Sequence, residues 1–235
     1  MCVAKLPNIN LNEMKLLLDF GNSRLKYAVY TRDSKVTEGI IPTLTEKNLY
    51  EIPHFAELES IHLSSVIDIP PAIHALLSPK LMPNQTIIRG NDYDVRSLGE
   101  DRKLIALGAG PSHLSICLGT CITYNLVNEA NEFIGGAISP GLTMRAAGMH
   151  AHTAHLPQVV PQHPYPTFGH NTQSNLIAGI MAGVEFEIKG FIQQAQKKVP
   201  NIQVVLTGGD AHHFSTLFNV DPDLIWKGML KLNIC

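Results

Sequence analysis

The residues best suited to chemistry sit where apolar runs stop. In LLLDFGNSRLKYAVY, residues 16–30, a strand-like run ends at Asp19 and Phe20, passes through Gly21, Asn22 and Ser23, and resumes after Arg24 with Leu25 and Lys26. Glycine lets backbone N–H groups approach phosphate oxygens, Asn22 and Ser23 add short donors, and Lys26 supplies positive charge. Asp19, at the strand end, is placed to hold Mg2+ through water, because magnesium gives up its hydration shell reluctantly. Two further bends, Gly119-Thr120 and Gly208-Gly209, also follow apolar strands. In an α/β sheet such strand ends converge on one edge, where ligands bind. Gly, Asn and Ser are ordinary turn residues too; the recurrence at Gly119 favours a phosphate clamp. The sequence contains no GxxxxGK[ST], and its first glycine turn leads into a strand, which excludes a Walker-type nucleotide fold.

A second constellation is Gly99-Glu100-Asp101-Arg102 at a helix start. On residue type alone, Asp101 is an exposed first-turn carboxylate and Arg102 a surface cation. His150, His152 and His155 lie close together, but zinc needs three or four converging ligands, and solvated or capping histidines are the simpler account. His212 and His213 follow TGGDA without an assignable role.

These residues need a scaffold, and the totals bound it. The 235 residues are 45% hydrophobic with a formal net charge of -2, enough for one large or two small domains with a real core. The basic footprint of a nucleic-acid binder is missing, so small molecules are the expected partners. No window is long and apolar enough to span a bilayer, and residues 1–13 lack the apolar stretch of a secretory signal. A cytoplasmic location is expected, with residues 1–13 set aside as an N-terminal tail. Cys2 and Cys235 lie at the chain ends, Cys117 and Cys121 share a strand-turn segment, and none forms a CxxC pair.

Periodicity predicts a hairpin from Met14 to Gly39, then a strand, helix, strand unit built from residues 61–67, the PPAIHALL helix and residues 86–89. A helix capped by Ser97 or Gly99 carries Glu100 and Asp101 in its first turn. Three strands follow, broken at Gly119-Thr120, residues 128–131 and Gly135-Gly136. Laying LLDFGNSRLKYAVY over SICLGTCITYNLVN pairs Gly21 with Gly119, Asn22 with Thr120 and Val29 with Val127, as an internal duplication would. The proline-bearing stretch 156–171 reads as an ordered loop. A long helix capped by Asn171 or Thr172 comes next, with Leu176, Ile177, Ile180, Met181, Val184, Ile188, Phe191 and Ile192 on its apolar side. Gly179 and Gly183 leave one flank open to another backbone, in the core or in a second subunit. IQVVLTGGDA closes the pattern with a buried strand and a Gly-Gly turn.

DFGNSRLK, GEDR, LGTCITYN, GGAISPG, the NT of HNTQSNLIAG, and LTGGDA stand in an order and spacing that resemble type III pantothenate kinase, from Met14 to near the C-terminus. DFGNS or TGGDA alone would point only to the wider acetate and sugar kinase, Hsp70 and actin superfamily. The resemblance implies an α/β fold of two ribonuclease-H-like (actin-like ATPase) lobes, each a mixed β-sheet with flanking helices, here residues 14–110 and 111–235. It implies a homodimer that transfers the γ-phosphoryl group of ATP to pantothenate, the entry step to coenzyme A. It puts ATP, with Mg2+, on Asp19, Phe20, Gly21, Asn22, Ser23, Arg24, Leu25, Lys26 and Thr120. Pantothenate falls on Tyr93, Gly99, Glu100, Asp101, Arg102 and Thr172, with Asp101 as proton acceptor. A primary alcohol attacking phosphorus must lose a proton, so a carboxylate in reach is the needed base. Arg102 suits a substrate carboxylate. Tyr93 stands one residue short of the family's spacing to its GxDR motif and lacks the intervening proline.

The pattern breaks at two positions. The family has an aspartate at Cys117 that binds an activating K+ or NH4+ ion, and a thiol is a poor ligand for a hard cation. Asn125 likewise replaces an aspartate. An altered or cation-independent kinase, a kinase for another small hydroxylated acid, and a nucleotide-binding regulatory or inactive protein on the same scaffold all remain open.

Overall fold

The computed structural model describes residues 13–32, 34–83, 88–90 and 93–233. By its contacts the chain divides into Met1–Gln85 with Leu232–Cys235, and Thr86–Lys231. The expected tail before Met14, apart from residue 13, and both terminal cysteines lie outside the described residues.

The first unit carries strands β1 (Met14–Phe20), β2 (Leu25–Thr31), β3 (Ser34–Ile41) and β4 (Ser60–Ser65) in the order β3-β2-β1-β4. Pairing is antiparallel except between β1 and β4, which run parallel. The continuous apolar run of β1 is explained by burial on both faces. Leu16, Leu18 and Phe20 enter one core cluster, and Leu17 is fully buried as well, as a strand covered on both sides requires. Helices α1 (Glu46–Tyr50) and α2 (Pro71–Leu77) supply Leu49, Ile73 and Leu77 to that cluster. Thr45 caps α1 by accepting from Asn48 N, and α2 begins with Pro71, whose missing N–H costs nothing there.

The second unit contains β5 (Arg89–Gly90), α3 (Glu100–Ala109), β6 (His113–Leu118), β7 (Cys121–Val127), β8 (Glu132–Pro140), α4 (Leu142–Ala151), α5 (Thr172–Lys198), β9 (Gln203–Thr207) and α6 (Leu224–Leu230). Its sheet order is β5-β8-β7-β6-β9, with β6 and β9 parallel. Leu114, Ile116 and Leu118 of β6 pack towards α5, which contributes Ile177, Ile180, Met181, Val184 and Ile188. The opposite face receives α3, which in turn packs against α6. That crossing is backbone to backbone: a Cβ on Gly108 would lie 2.0 Å from Leu224 O, and one on Gly228 would lie 2.0 Å from Leu104 O. The Lys231 amine then donates to the Leu107 and Gly108 carbonyls, closing the C-terminal end of α3.

The two sheets repeat one plan, since β3-β2-β1-β4 and β8-β7-β6-β9 have the same connectivity and sense. The turns differ in length: Phe20 pairs with Leu25, but Leu118 pairs with Ile122. The sequence overlay is therefore right up to Gly21 and Gly119 and one residue out beyond them, and Val29 corresponds to Leu126. The strand, helix, strand unit is also corrected. After α2, among the described residues, the first sheet gains only a bridge from Leu81 to Ile61, whereas Arg89–Gly90 pairs with β8 in the second sheet; residues 86 and 87 of the expected strand lie outside the described residues. A short apolar run does not encode which sheet edge it joins. By contacts α3 belongs with the second sheet, not with the lobe of residues 14–110 that the resemblance implies.

The long helix forms as expected, with Asn171 as its cap in a capping box with Ser174. Phe191 is 37% exposed yet stacks on Tyr124 at 4.1 Å. No part of the chain comes within 4 Å of a Cβ built on Gly179 or Gly183 among the described residues, which rules out the core contact. Glu187 on α5 accepts from Tyr124 and Ser139 and pairs with Arg145, tying β7, β8 and α4 to the helix. Burial alone would raise its carboxyl, but those hydrogen bonds and the Arg145 charge outweigh it and hold it below the usual range.

Candidate active site

The first group of candidate residues forms the β1–β2 turn. Asp19 stands directly opposite Lys26 in the antiparallel pair, and the Gly21 N–H donates to Arg24 O at 3.0 Å, closing the bend. Asn22, Ser23 and Arg24 are exposed at its tip, and Phe20 is buried beneath as an anchor. A half-exposed carboxylate beside a lysine and a tip rich in donors suits a polyphosphate with its magnesium. Asp19 offers the hard oxygen such an ion prefers.

In the second unit the Gly119-Thr120 turn is held from two sides. The Gly141 N–H, at the start of α4, donates to Thr120 O at 3.0 Å, and the Asp210 N–H donates to Leu118 O at 3.1 Å. Gly208 has φ 94°, and a Cβ there would lie 2.3 Å from Leu118 O, so only glycine fits both the backbone conformation and the space. The Gly119 and Gly208 bends thus meet at the same end of β6 and β9, as expected of strand ends in one sheet. The Gly21 bend belongs to the other sheet.

The third group surrounds the start of α3. Gly99 is its cap, and Glu100 pairs with Lys103 at 3.4 Å. The Asp101 carboxylate turns back over the cap, since a Cβ on Gly99 would meet its Oδ1 at 2.8 Å. Arg102 corrects the plain reading of its sequence position: it is only 8% exposed and is no surface cation. Its Nε donates to Asn125 Oδ1 at 2.8 Å, its Nη2 donates to Tyr124 O at 3.0 Å, and its guanidinium lies 5.7 Å from the Phe133 ring centre. Tyr93 meets the same Phe133 ring edge-on at 4.8 Å. Tyr93 and Arg102 are therefore neighbours around one aromatic side chain, and Asn125 is bonded to the arginine. Thr172 is exposed at the first position of α5.

The Arg102–Asn125 contact escaped sequence reasoning, although a signal existed. Asn125 lies between Tyr124 and Leu126 in a stretch buried throughout, and a buried amide demands a partner. The cation position also differs from its family counterpart. Cys117 faces Thr123 on β7 and Thr207 on β9, so this row offers a thiol and two hydroxyls without a carboxylate. Those donors do not fit a K+ or NH4+ site, and no step is assigned to such an ion. No group of three His, Cys, Asp or Glu side chains converges among the described residues. His150 bonds the Leu156 carbonyl and His212 that of Gly209.

Two mixed sheets of repeated topology, with glycine bends after β1 and β6, define an actin-like α/β fold. Solved structures agree on the fold. A chain described as a Baf family transcriptional activator from Campylobacter jejuni has TM-score 0.62 at 20% identity, covering 92% of this chain and 96% of its own. The ethanolamine utilization protein EutJ from Carboxydothermus hydrogenoformans has TM-score 0.51 at 11% identity, covering 96% and 90%. Within this class the chain belongs to the type III pantothenate kinase family, whose model matches residues 80–194. The type III pantothenate kinase of Bacteroides fragilis (strain YCH46) is 31% identical over 93% of this chain and 97% of its own. That of Flavobacterium psychrophilum is 33% identical over 85% and 88%.

Proposed function

We infer that this protein transfers the γ-phosphoryl group of ATP to the primary hydroxyl of pantothenate, giving 4′-phosphopantothenate and committing it to coenzyme A. The observation that carries this reading is the α3 start, where a carboxylate and a buried guanidinium sit on adjacent residues of a family member's GxDR motif. ATP is held on the β1–β2 turn, Asp19 to Lys26. Asp19 would hold Mg2+, which would neutralise charge on the phosphates. Asp101 takes the hydroxyl proton as the alcohol attacks. Arg102 receives the pantothenate carboxylate on the Nη hydrogens not bonded to Tyr124, while Tyr93, Gly99, Glu100 and Thr172 complete the acceptor site.

The protein acts as a homodimer. Gly179, Gly183 and the exposed Phe186 follow one another at helical spacing on α5, which supports a second copy packing there. No helix among the described residues is long and apolar enough to cross a membrane, and soluble substrates place the work in the cytoplasm. Incubation with ATP, Mg2+ and a panel of small hydroxy acids, read by mass spectrometry, tests the acceptor. Phosphorylated pantothenate is expected. Phosphorylation of a different acid alone would redirect the reading, and ATP binding without any product would favour the regulatory alternative.

A further inference from the structure

We propose that Asn125 is a positioning residue that sets the affinity for the anionic acceptor: it aims the Arg102 guanidinium while leaving its charge uncancelled. The inference rests on the reading of Arg102 as the ligand of the acceptor carboxylate.

A buried guanidinium is costly unless an anion pairs with it. Arg102 is 8% exposed, yet among the described residues its hydrogen-bond partners are two neutral acceptors, Asn125 Oδ1 and the Tyr124 carbonyl. The Phe133 ring offers a further, weaker attraction. Fixed in this way, Nε and one hydrogen of Nη2 are spent on the sheet, and the remaining Nη hydrogens face elsewhere. Asn125 is fully buried and itself held by its amide, whose Nδ2 reaches Ser115 O at 3.5 Å. That contact fixes which end of the amide is presented, so oxygen meets Nε. Gly136 completes the seat, because a Cβ there would lie 2.5 Å from Nη2. Among the described residues the guanidinium is hydrogen-bonded to neutral acceptors alone.

An aspartate at 125, which the family resemblance implies at this position, would make the same hydrogen bond with nearly the same shape, so the comparison is between weaker and tighter acceptor binding. The aspartate would also pair the guanidinium internally and weaken its pull on an incoming carboxylate. The charge at this one buried position therefore acts on acceptor binding while the orientation of Arg102 is kept.

Steady-state kinetics on Asn125→Asp, Asn125→Thr and Arg102→Met test this. Asn125→Asp is expected to raise the pantothenate KM about tenfold or more, the scale of losing one close charge interaction, with the ATP KM unchanged. Asn125→Thr, neutral but imperfectly shaped, is expected to raise it less. A wild-type pantothenate KM in Asn125→Asp, or an equal rise in Asn125→Thr, would overturn the proposal. If Arg102→Met raises the pantothenate KM and Asn125→Asp does not, only the role of Asn125 falls. If Arg102→Met itself leaves that KM unchanged, the assignment of Arg102 falls and this inference with it.

Discussion

Cys117 and His62 show how single side chains set conditions for the whole protein. Cys117 lies in a row with Thr123 and Thr207, and it stands where the family resemblance implies a cation-binding aspartate. The kinase rate should therefore change little when KCl replaces a salt of a non-activating cation at constant ionic strength. Cys117→Asp should acquire a potassium response, and a steep response in the parent would contradict this account. His62 is 1% exposed on β4, and burial, helped by the Lys15 charge, lowers its pKa to about 4. Its unfolded value is higher, so the unfolded chain binds the extra proton first as pH falls. The associated stability is complete above about pH 6.5 and is lost progressively towards pH 4, about 3 kcal/mol over that window. Denaturant titrations across it should show the loss, and His62→Gln should flatten it. At this scale the sequence exposed the unusual cysteine because it interrupts a motif. It hid the environments of Arg102 and His62, since burial depends on elements far apart along the chain.

Among the elements, α3 matters most because it carries Asp101 and Arg102 on its first turn. Its position is set from behind by α6 through the Gly108–Gly228 crossing. Gly228→Ala would force a methyl group into the Leu104 backbone and should destabilise the fold by about 2 kcal/mol or more, measurable as a lower denaturation midpoint. An unchanged midpoint would mean that the helices separate freely. Periodicity and capping residues located α3, α5 and the three strands β6, β7 and β8, because those signals are local. They could not show that Arg89–Gly90 joins β8, nor that the second turn is one residue shorter than the first. Strand partners and turn closure are fixed by long-range pairing.

At the scale of the molecule, the duplicated topology was foreshadowed by two short glycine-bearing segments, and the family by six motifs in order. The open glycine flank of α5 was visible as well, but only the fold removed the core explanation for it. If that flank is a subunit contact, the parent should elute as a dimer and Gly183→Arg should shift it towards monomer. A monomeric parent would exclude this interface. The central claim, that Asp101 is the base for phosphoryl transfer to pantothenate, is tested most directly by comparing kcat of the parent and Asp101→Asn in a coupled assay with ATP, Mg2+ and pantothenate. The account predicts turnover in the parent and a loss of about a hundredfold or more in the variant, with the fold intact by circular dichroism. A parent that produces no phosphopantothenate, or a folded Asp101→Asn that turns over at the parent's rate, would contradict it.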